Sequence, residues 1–160
     1  TSYVFALVVV DDDTLVSGGG GDETLRVWDT RTYAAVATIE TPAIVTALLR
    51  LADGTMASGH YDGAVRLWDW RRRECVATMT GHAAIQYMFG LAQLPDGRLA
   101  SASRDATVRI WDVAARACVG VITESAELYK CCITANGRLA VACNDKNAYL
   151  YIVDAVAKRV

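Results

Sequence analysis

The sequence has few prolines, cysteines and histidines, the residues that interrupt strands and helices, form disulfides and bind metal ions. It contains two prolines, two histidines and five cysteines, and no two cysteines form a Cys-x-x-Cys pair. An odd cysteine count without such a pair favours reduced thiols, so we expect an intracellular protein of the cytoplasm or nucleus. Because histidines are scarce and metal-ligand spacing is missing, we predict neither a metal site nor a cofactor.

The sequence also lacks a large excess of charge of one sign and lacks long apolar runs. Sixteen basic and 18 acidic residues give a net charge of −2, which predicts no general affinity for nucleic acid. The apolar run over residues 4–10 is much shorter than the about 20 residues that a membrane-spanning helix needs, so no membrane insertion is expected. With 53% hydrophobic residues among 160, the chain is instead predicted to fold as one domain or part of a larger one.

An internal repeat organises the chain. Trp-Asp occurs at 28–29, 68–69 and 111–112, and an aspartate stands six residues before each tryptophan. The same offset from Asp145 places Tyr151 at the tryptophan position of a fourth repeat. Periods of about 40 residues are typical of repeat architectures. The predicted repeats are approximately 1–40, 41–81, 82–124 and 125–160.

Each repeat has the pattern of short strands joined by turns. In the third repeat, Pro95-Asp96-Gly97 is a turn signal, and residues 107–113 alternate between apolar and polar side chains. Further turn signals stand at Asp53-Gly54 and Asn136-Gly137. Amphipathic runs of helix length are scarce, so the fold class is predicted to be all-β.

When the four repeats are aligned, residues at matching positions form columns. These shared positions resemble those of the WD40 repeat family. The resemblance implies four-stranded antiparallel sheets that form the blades of a β-propeller. In that family the first strand of a blade lines the central channel, and the fourth lies at the rim. Val160 aligns with the start of a fourth strand, so the fourth repeat is expected to be degenerate and truncated. The chain would then be a half-propeller, or part of a ring of seven or eight blades.

An open half-propeller would expose two apolar blade faces and an unpaired edge, which favours association. Three arrangements follow from this. The residues are a fragment of a longer propeller, or two copies close an eight-bladed ring as a homodimer, or another arrangement covers the faces.

The third repeat contains serine, histidine and aspartate. The family resemblance gives them a structural role, in which His82 joins a hydrogen-bonded tetrad with Asp105, Trp111 and a serine of the second strand. That serine is Ser101 or Ser103. No oxyanion-hole motif accompanies them, so we predict that the chain is not an enzyme. The other repeats lack this histidine, and their packing is expected to depend on apolar contacts.

One face of the predicted disc carries candidate binding residues. Four residues share one column at the start of the first strands, and two more stand just before turn aspartates on the same face. Exposed aromatic side chains with an arginine are the usual composition of a binding hot spot. The alternative is that the aromatic rings only fill space between blades. The predicted partner-binding residues are Phe5, Thr46, Tyr61, Phe89, Arg104 and Tyr129.

A second motif lies on the opposite face. Trp-Asp-x-Arg occurs in the first two repeats and ends at Arg31 and Arg71, whereas the third repeat has Val113-Ala114 after its Trp-Asp. The motif resembles one in substrate receptors of cullin-type ubiquitin ligases, where the arginine contacts the ligase adaptor.

Three functions are therefore compatible with the sequence. The leading one is a non-catalytic scaffold that presents a propeller face to a protein or peptide partner. The second is a ubiquitin-ligase substrate receptor that uses Arg31 and Arg71. The third is a targeting domain of a larger enzyme, such as a kinase or a motor protein.

Overall fold

Fifteen β-strands form four antiparallel sheets in the computed structural model, which describes residues 3–143 and 150–153. Within each sheet the strands are adjacent in the order in which they occur in the sequence, so each sheet is a simple meander. The described residues contain no helix. This confirms the all-β fold and the blade architecture that the repeat predicts.

The first two sheets, blades 1 and 2, have four strands each. Blade 1 contains β1 (Val4–Asp11), β2 (Thr14–Gly19), β3 (Thr24–Asp29) and β4 (Ala35–Glu40). Blade 2 contains β5 (Val45–Arg50), β6 (Met56–His60), β7 (Val65–Asp69) and β8 (Glu74–Met79).

The third sheet also has four strands, and the fourth has three in the described residues. Blade 3 contains β9 (Met88–Gln93), β10 (Leu99–Ser103), β11 (Thr107–Asp112) and β12 (Ala117–Thr123). Blade 4 contains β13 (Leu128–Ile133), β14 (Leu139–Cys143) and β15 (Leu150–Val153).

The turn between the first two strands of blades 2, 3 and 4 depends on glycine. Gly54, Gly97 and Gly137 have φ angles of 85°, 89° and 78°. This left-handed region is strained for residues with a Cβ, which explains why the Asp-Gly and Asn-Gly turn signals stand at these places. The sequence prediction of these turns is confirmed.

Apolar clusters hold neighbouring blades together. Branched and aromatic side chains of the inner strands alternate between the two faces of each sheet, so every blade buries one face against each neighbour. Trp68 packs with Val10, Val16 and Leu25 between blades 1 and 2. Trp111 packs with Met79 and other residues of blade 2. Each tryptophan therefore faces the preceding blade.

The tryptophan position of the fourth repeat differs from the sequence prediction. Trp111 pairs with Leu99 across β10 and β11, but the partner of the corresponding Leu139 is Val153. Tyr151 pairs with Val141, two residues away from the predicted position. The placement of Tyr151 in the tryptophan column was wrong because the connection from β14 to β15 is two residues longer than that from β10 to β11.

Within the described residues, blade 1 has no neighbour on its outer side, because the four sheets do not close into a ring. The outer face of this blade carries Leu7, Val9, Leu15 and Trp28, which occupy paired positions on β1, β2 and β3. We call it the Trp28 face. Leu7 and Val9 are 60% and 59% exposed.

Candidate functional site

A β-bulge recurs in the first strand of every blade. The register between the first two strands shifts after Val4, Val45 and Leu128, and at Met88 in blade 3. A bulge adds one unpaired residue and redirects its side chain. The residues at these bulges are the four that the sequence places in one column, Phe5, Thr46, Phe89 and Tyr129.

Tyr87 lies at the centre of an aromatic group formed around these bulges. Its ring is stacked on Phe89 with a centroid distance of 5.0 Å, and its centroid lies 4.8 Å from that of Tyr61. Phe5 makes an edge contact with it at 6.1 Å, while Phe89 stacks in turn on Tyr129 at 5.9 Å. We call these five residues the aromatic cluster. It spans all four blades and is partly exposed.

An ion pair borders the aromatic cluster. The Arg104 guanidinium donates to both carboxylate oxygens of Glu127, with N···O distances of 2.8 and 3.0 Å. Its central carbon lies 5.9 Å from the ring centroids of both Tyr87 and Tyr129. Such a distance is within the range of a cation–π contact. Arg104 is thus held against the rings and stays partly exposed.

Thr46 does not join the exposed surface that the sequence predicts for it. It is buried, and its hydroxyl lies 2.5 Å from the Met88 carbonyl oxygen and 3.1 Å from that of Gly59. Thr46 therefore links blades 2 and 3. Thr46 does share the bulge position with Phe5, Phe89 and Tyr129, as the alignment predicts. Its small hydroxyl side chain can bond to buried carbonyl groups there, whereas an aromatic ring must remain outside.

Sequence reasoning missed Tyr87 because it lies in the loop before β9, two residues ahead of the column of Phe89 from which the candidate residues were chosen. That loop is three residues longer than the loop before β5, as the tryptophan spacings of 43 and 40 residues indicate. Ile85 in the same loop is 69% exposed and has a φ of 63°, which is unusual for a β-branched residue. Its backbone N–H donates to the Tyr61 carbonyl at 2.9 Å. An exposed apolar side chain therefore lies in a loop whose backbone is bonded to that of Tyr61, a residue of the aromatic cluster.

Blade 3 contains a buried hydrogen-bond chain. Trp111 Nε1 donates to Ser101 Oγ at 2.8 Å, and Ser101 Oγ lies 2.6 Å from His82 Nε2. His82 Nδ1 lies 2.8 Å from Asp105 Oδ2. The structure places Ser101 in this chain, whereas Ser103 Oγ accepts from the Asp105 backbone N–H at 3.3 Å.

The carboxyl of Asp105 stays ionised in this chain. Burial alone raises its pKa, but hydrogen bonds from His82, Thr107 and the Ala83 backbone more than offset this. The net result is a pKa well below the usual range for aspartate. The Asp105 carboxylate is thus bonded to His82, Thr107 and the Ala83 backbone, which is the setting of a structural residue.

Blade 2 has its own histidine, contrary to the expectation that its packing depends on apolar contacts. His60 comes from β6 and not from the preceding loop. Its Nδ1 donates to the Ala43 carbonyl at 3.0 Å, and its Nε2 lies 2.6 Å from Ser58 Oγ, which also accepts from Trp68 Nε1. Burial lowers the pKa of His60 to about 4. The imidazole is therefore neutral near pH 7.

The two arginines of the Trp-Asp-x-Arg motifs lie on the opposite face. Both side chains are exposed, and both lie near the acidic turn of blade 1. Arg31 Nε is 2.6 Å from Asp13 Oδ1, and Arg71 is 3.8 Å from Asp11. The Arg71 guanidinium also lies over the ring of Trp70, 4.3 Å from its centroid.

Three further observations concern metal-binding groups, membrane-spanning helices and a buried thiol. Among the described residues, no three histidine, cysteine or acidic side chains group together in a way that could hold a metal ion. The same residues include no helix with the length and apolar character of a membrane span. Cys131 lines a cavity of about 170 Å³ beside Phe5 and Phe89, and burial raises the pKa of its thiol to about 12. It is therefore a poor nucleophile.

Comparisons with known proteins agree with this geometry. The chain is similar to the crystal structure of the WD40 beta propeller domain of Doa1, with 25% sequence identity and a TM-score of 0.82. The match covers 93% of this chain and 50% of that chain, so this chain spans half the length of that domain. No curated protein matches it.

The family model agrees as well. The model described as "WD domain, G-beta repeat" matches three stretches, residues 1–29, 35–69 and 73–112. WD40 propellers in general serve as non-catalytic modules for protein interaction. The repeat columns, the blade sheets and these matches together show that the chain belongs to the WD40 repeat family.

Proposed function

We propose that this protein is a non-catalytic scaffold that binds a protein or peptide segment at the aromatic cluster. The observation that carries the proposal is the set of five aromatic rings from four blades, partly exposed and bordered by Arg104. Aromatic and arginine side chains dominate binding energy at protein interfaces. The rings are already fixed by stacking, so little conformational entropy is lost when a ligand covers them.

The ligand that fits this surface has apolar or planar side chains for the rings and a hydrogen-bond acceptor for Arg104. The guanidinium is held in place by Glu127, which leaves its outward donors oriented. Ile85 supplies an exposed apolar edge beside Tyr61. Together these groups suit an extended peptide or a loop of a folded partner.

A peptide library displayed on phage provides the probe. Clones enriched on the wild-type chain are synthesised, and their affinities are measured by fluorescence anisotropy. We expect Tyr87→Ala and the double variant Phe89→Ala/Tyr129→Ala to weaken binding at least about tenfold, as removal of a hot-spot residue does. Circular dichroism shows whether each variant remains folded.

The matched control is Tyr33→Ala. Tyr33 is 85% exposed in the turn between β3 and β4, away from the aromatic cluster. This control should leave the affinity unchanged. If the selected peptides bind the folded cluster variants as tightly as the wild-type chain, the proposal is wrong.

The adaptor-binding alternative has weaker support. The guanidinium groups of Arg31 and Arg71 already face acidic side chains of blade 1, and Arg31 is within hydrogen-bond distance of Asp13. An adaptor would have to compete with these pairs. For this reason we favour the aromatic cluster over the Trp-Asp-x-Arg motifs as the binding site.

A further inference from the structure

A cleft of about 590 Å³ lies between blades 2 and 3. Its walls include the turns after β5, β9 and β11, which lie on the face of Arg31 and Arg71, opposite the aromatic cluster. Leu67, Ala77 and Val113 are apolar residues of these walls. The volume is within the range of ligand-binding pockets. The cleft therefore has the size of a binding site, and it is separate from the aromatic cluster.

An indole fills the corresponding space between blades 1 and 2. Trp70 stands two residues after the tryptophan of the Trp-Asp motif in blade 2, as Val113 does in blade 3. Trp70 is buried, and it belongs to the same apolar cluster as Val27, the counterpart in blade 1 of Leu67. Its Nε1 donates to the Gly54 carbonyl at 3.3 Å. The space between two blades can therefore hold an indole at this position.

Two further side chains that bridge blades 1 and 2 are replaced by alanine at the cleft. Arg71 lies over the ring of Trp70, and its guanidinium is 3.8 Å from the carboxylate of Asp11 in blade 1. Blade 3 has Ala114 at the position of Arg71, and blade 2 has Ala52 at the position of Asp11. Both alanines line the cleft. The cleft stays open because small side chains occupy all three of the positions that close the space between blades 1 and 2.

Polar groups fix the two walls of the cleft relative to each other. Gln93, which lines the cleft, accepts from the Ala52 N–H at 2.8 Å and donates to the Gly97 carbonyl at 3.3 Å. It therefore links blade 2 to blade 3. Arg98 and Asp96 also line the cleft and form an ion pair at 2.6 Å. Charged groups of both signs beside an apolar space suit a peptide, whose backbone offers both N–H donors and C=O acceptors.

We propose that the cleft between blades 2 and 3 binds an aromatic side chain of a partner polypeptide, with tryptophan as the best fit. The indole of that segment takes the place that Trp70 occupies one blade earlier, between Val113 and the apolar wall of blade 2. The four tryptophans of this chain are buried or half-buried in their own blades, so a second copy of these residues does not supply the indole. This second site goes beyond the function proposed for the aromatic cluster.

The probe is N-acetyltryptophanamide, and NMR of the valine and leucine methyl groups follows its binding to the 160-residue chain. We expect saturable shifts of the methyl signals of Val76 and Val113, which line the cleft. The dissociation constant should be about 1 mM or lower, as suits a ligand of this size. N-acetylleucinamide should bind at least about fivefold more weakly, because it lacks the large planar surface of the indole.

A filled variant tests where the probe binds. Ala52→Asp/Val113→Trp/Ala114→Arg gives the cleft the three residues that close the space between blades 1 and 2. It should weaken binding of the probe at least about tenfold, because the introduced indole occupies the space. If circular dichroism shows that this variant does not fold, Val113→Phe blocks the same space with one substitution. The matched control is Tyr33→Trp, which adds an indole at an exposed turn of blade 1 and should leave the affinity unchanged.

Three results would overturn the proposal. Methyl signals of the wild-type cleft that do not shift would show that it binds no indole. An affinity of the folded filled variant equal to that of the wild-type chain would show that the probe binds elsewhere. Equal affinities for the two amides would show that the site does not select an aromatic ring. Because the signals come from the cleft itself, each result holds whether or not the aromatic cluster binds peptides.

Discussion

Blades 1 and 3 have the same Trp-Asp motif in two different environments. Trp111 is fully buried against blade 2, and its serine is linked through His82 to Asp105. Trp28 makes the same bond to its serine but is half-buried, and the aspartate of its blade leaves one oxygen without a partner. The local sequence is nearly the same, so the neighbouring blade decides how much of the tryptophan is buried.

Blade 2 shows that the buried chain can be built in more than one way. Its histidine comes from the second strand of the blade, and its main-chain acceptor is Ala43. The Trp–Ser bond is common to all three blades, with distances of 2.6 to 2.8 Å. The invariant unit is therefore the tryptophan and serine pair, and the histidine is an addition that each blade obtains differently or lacks.

The largest effect is expected from removing the two tryptophans in turn. Trp111→Ala should lower the free energy of unfolding by about 4 kcal/mol, the usual cost of deleting a buried tryptophan. Trp28→Ala should cost about 2 kcal/mol, because only part of its area is removed from water. Urea denaturation followed by circular dichroism measures both values.

Equal losses for the two variants would contradict the comparison, since they would mean that the neighbouring blade contributes nothing to the burial. If Trp111→Ala prevents folding, the pair Trp111→Phe and Trp28→Phe retains the expected order. Both substitutions remove the indole N–H, so they differ mainly in the packing of the lost atoms.

The next effect is the pH dependence of blade 2. Burial lowers the pKa of His60 to about 4 from an ordinary value near 6.5. The unfolded chain therefore takes up a proton as the pH falls through 6.5, whereas the folded chain takes it up only near pH 4. The resulting loss of stability begins near pH 6.5, is complete near pH 4, and amounts to about 3 kcal/mol.

The variant His60→Gln should remove this loss, because glutamine does not titrate. The test is the free energy of unfolding measured from pH 8 to pH 4 for both chains. Asp105, whose pKa lies below the usual range, affects stability only at lower pH. A slope between pH 6.5 and 4 that is the same in both chains would show that His60 is not responsible.

The sequence predicts the blades and their turns because both follow from local rules. The Trp-Asp spacing and the turn glycines identify four repeats, and the column of bulge residues is visible in the alignment of the first strands. The burial of Thr46 and the position of Tyr87 at the centre of the aromatic cluster depend on contacts between blades. No property of a single repeat contains that information.

His60 and Tyr151 show the same limit in two other ways. The repeat pattern places a histidine before the first strand, so one within a second strand has no column to reveal it. Tyr151 was misplaced because the sequence between the paired residues of β14 and β15 is two residues longer than that between β10 and β11, which shifts the register of a whole strand. In each case the missing information is an inserted length or a packing partner in three dimensions.

Hydrogen exchange of the indole N–H groups tests the central claim most directly, because one NMR sample reports on all the tryptophans together. If the missing neighbour sets the burial of Trp28, its Nε1 proton should exchange at least about tenfold faster than those of Trp68 and Trp111 in dilute solution. A Trp28 proton that exchanges as slowly as that of Trp111 would contradict the account, because it would mean that the Trp28 face is already covered.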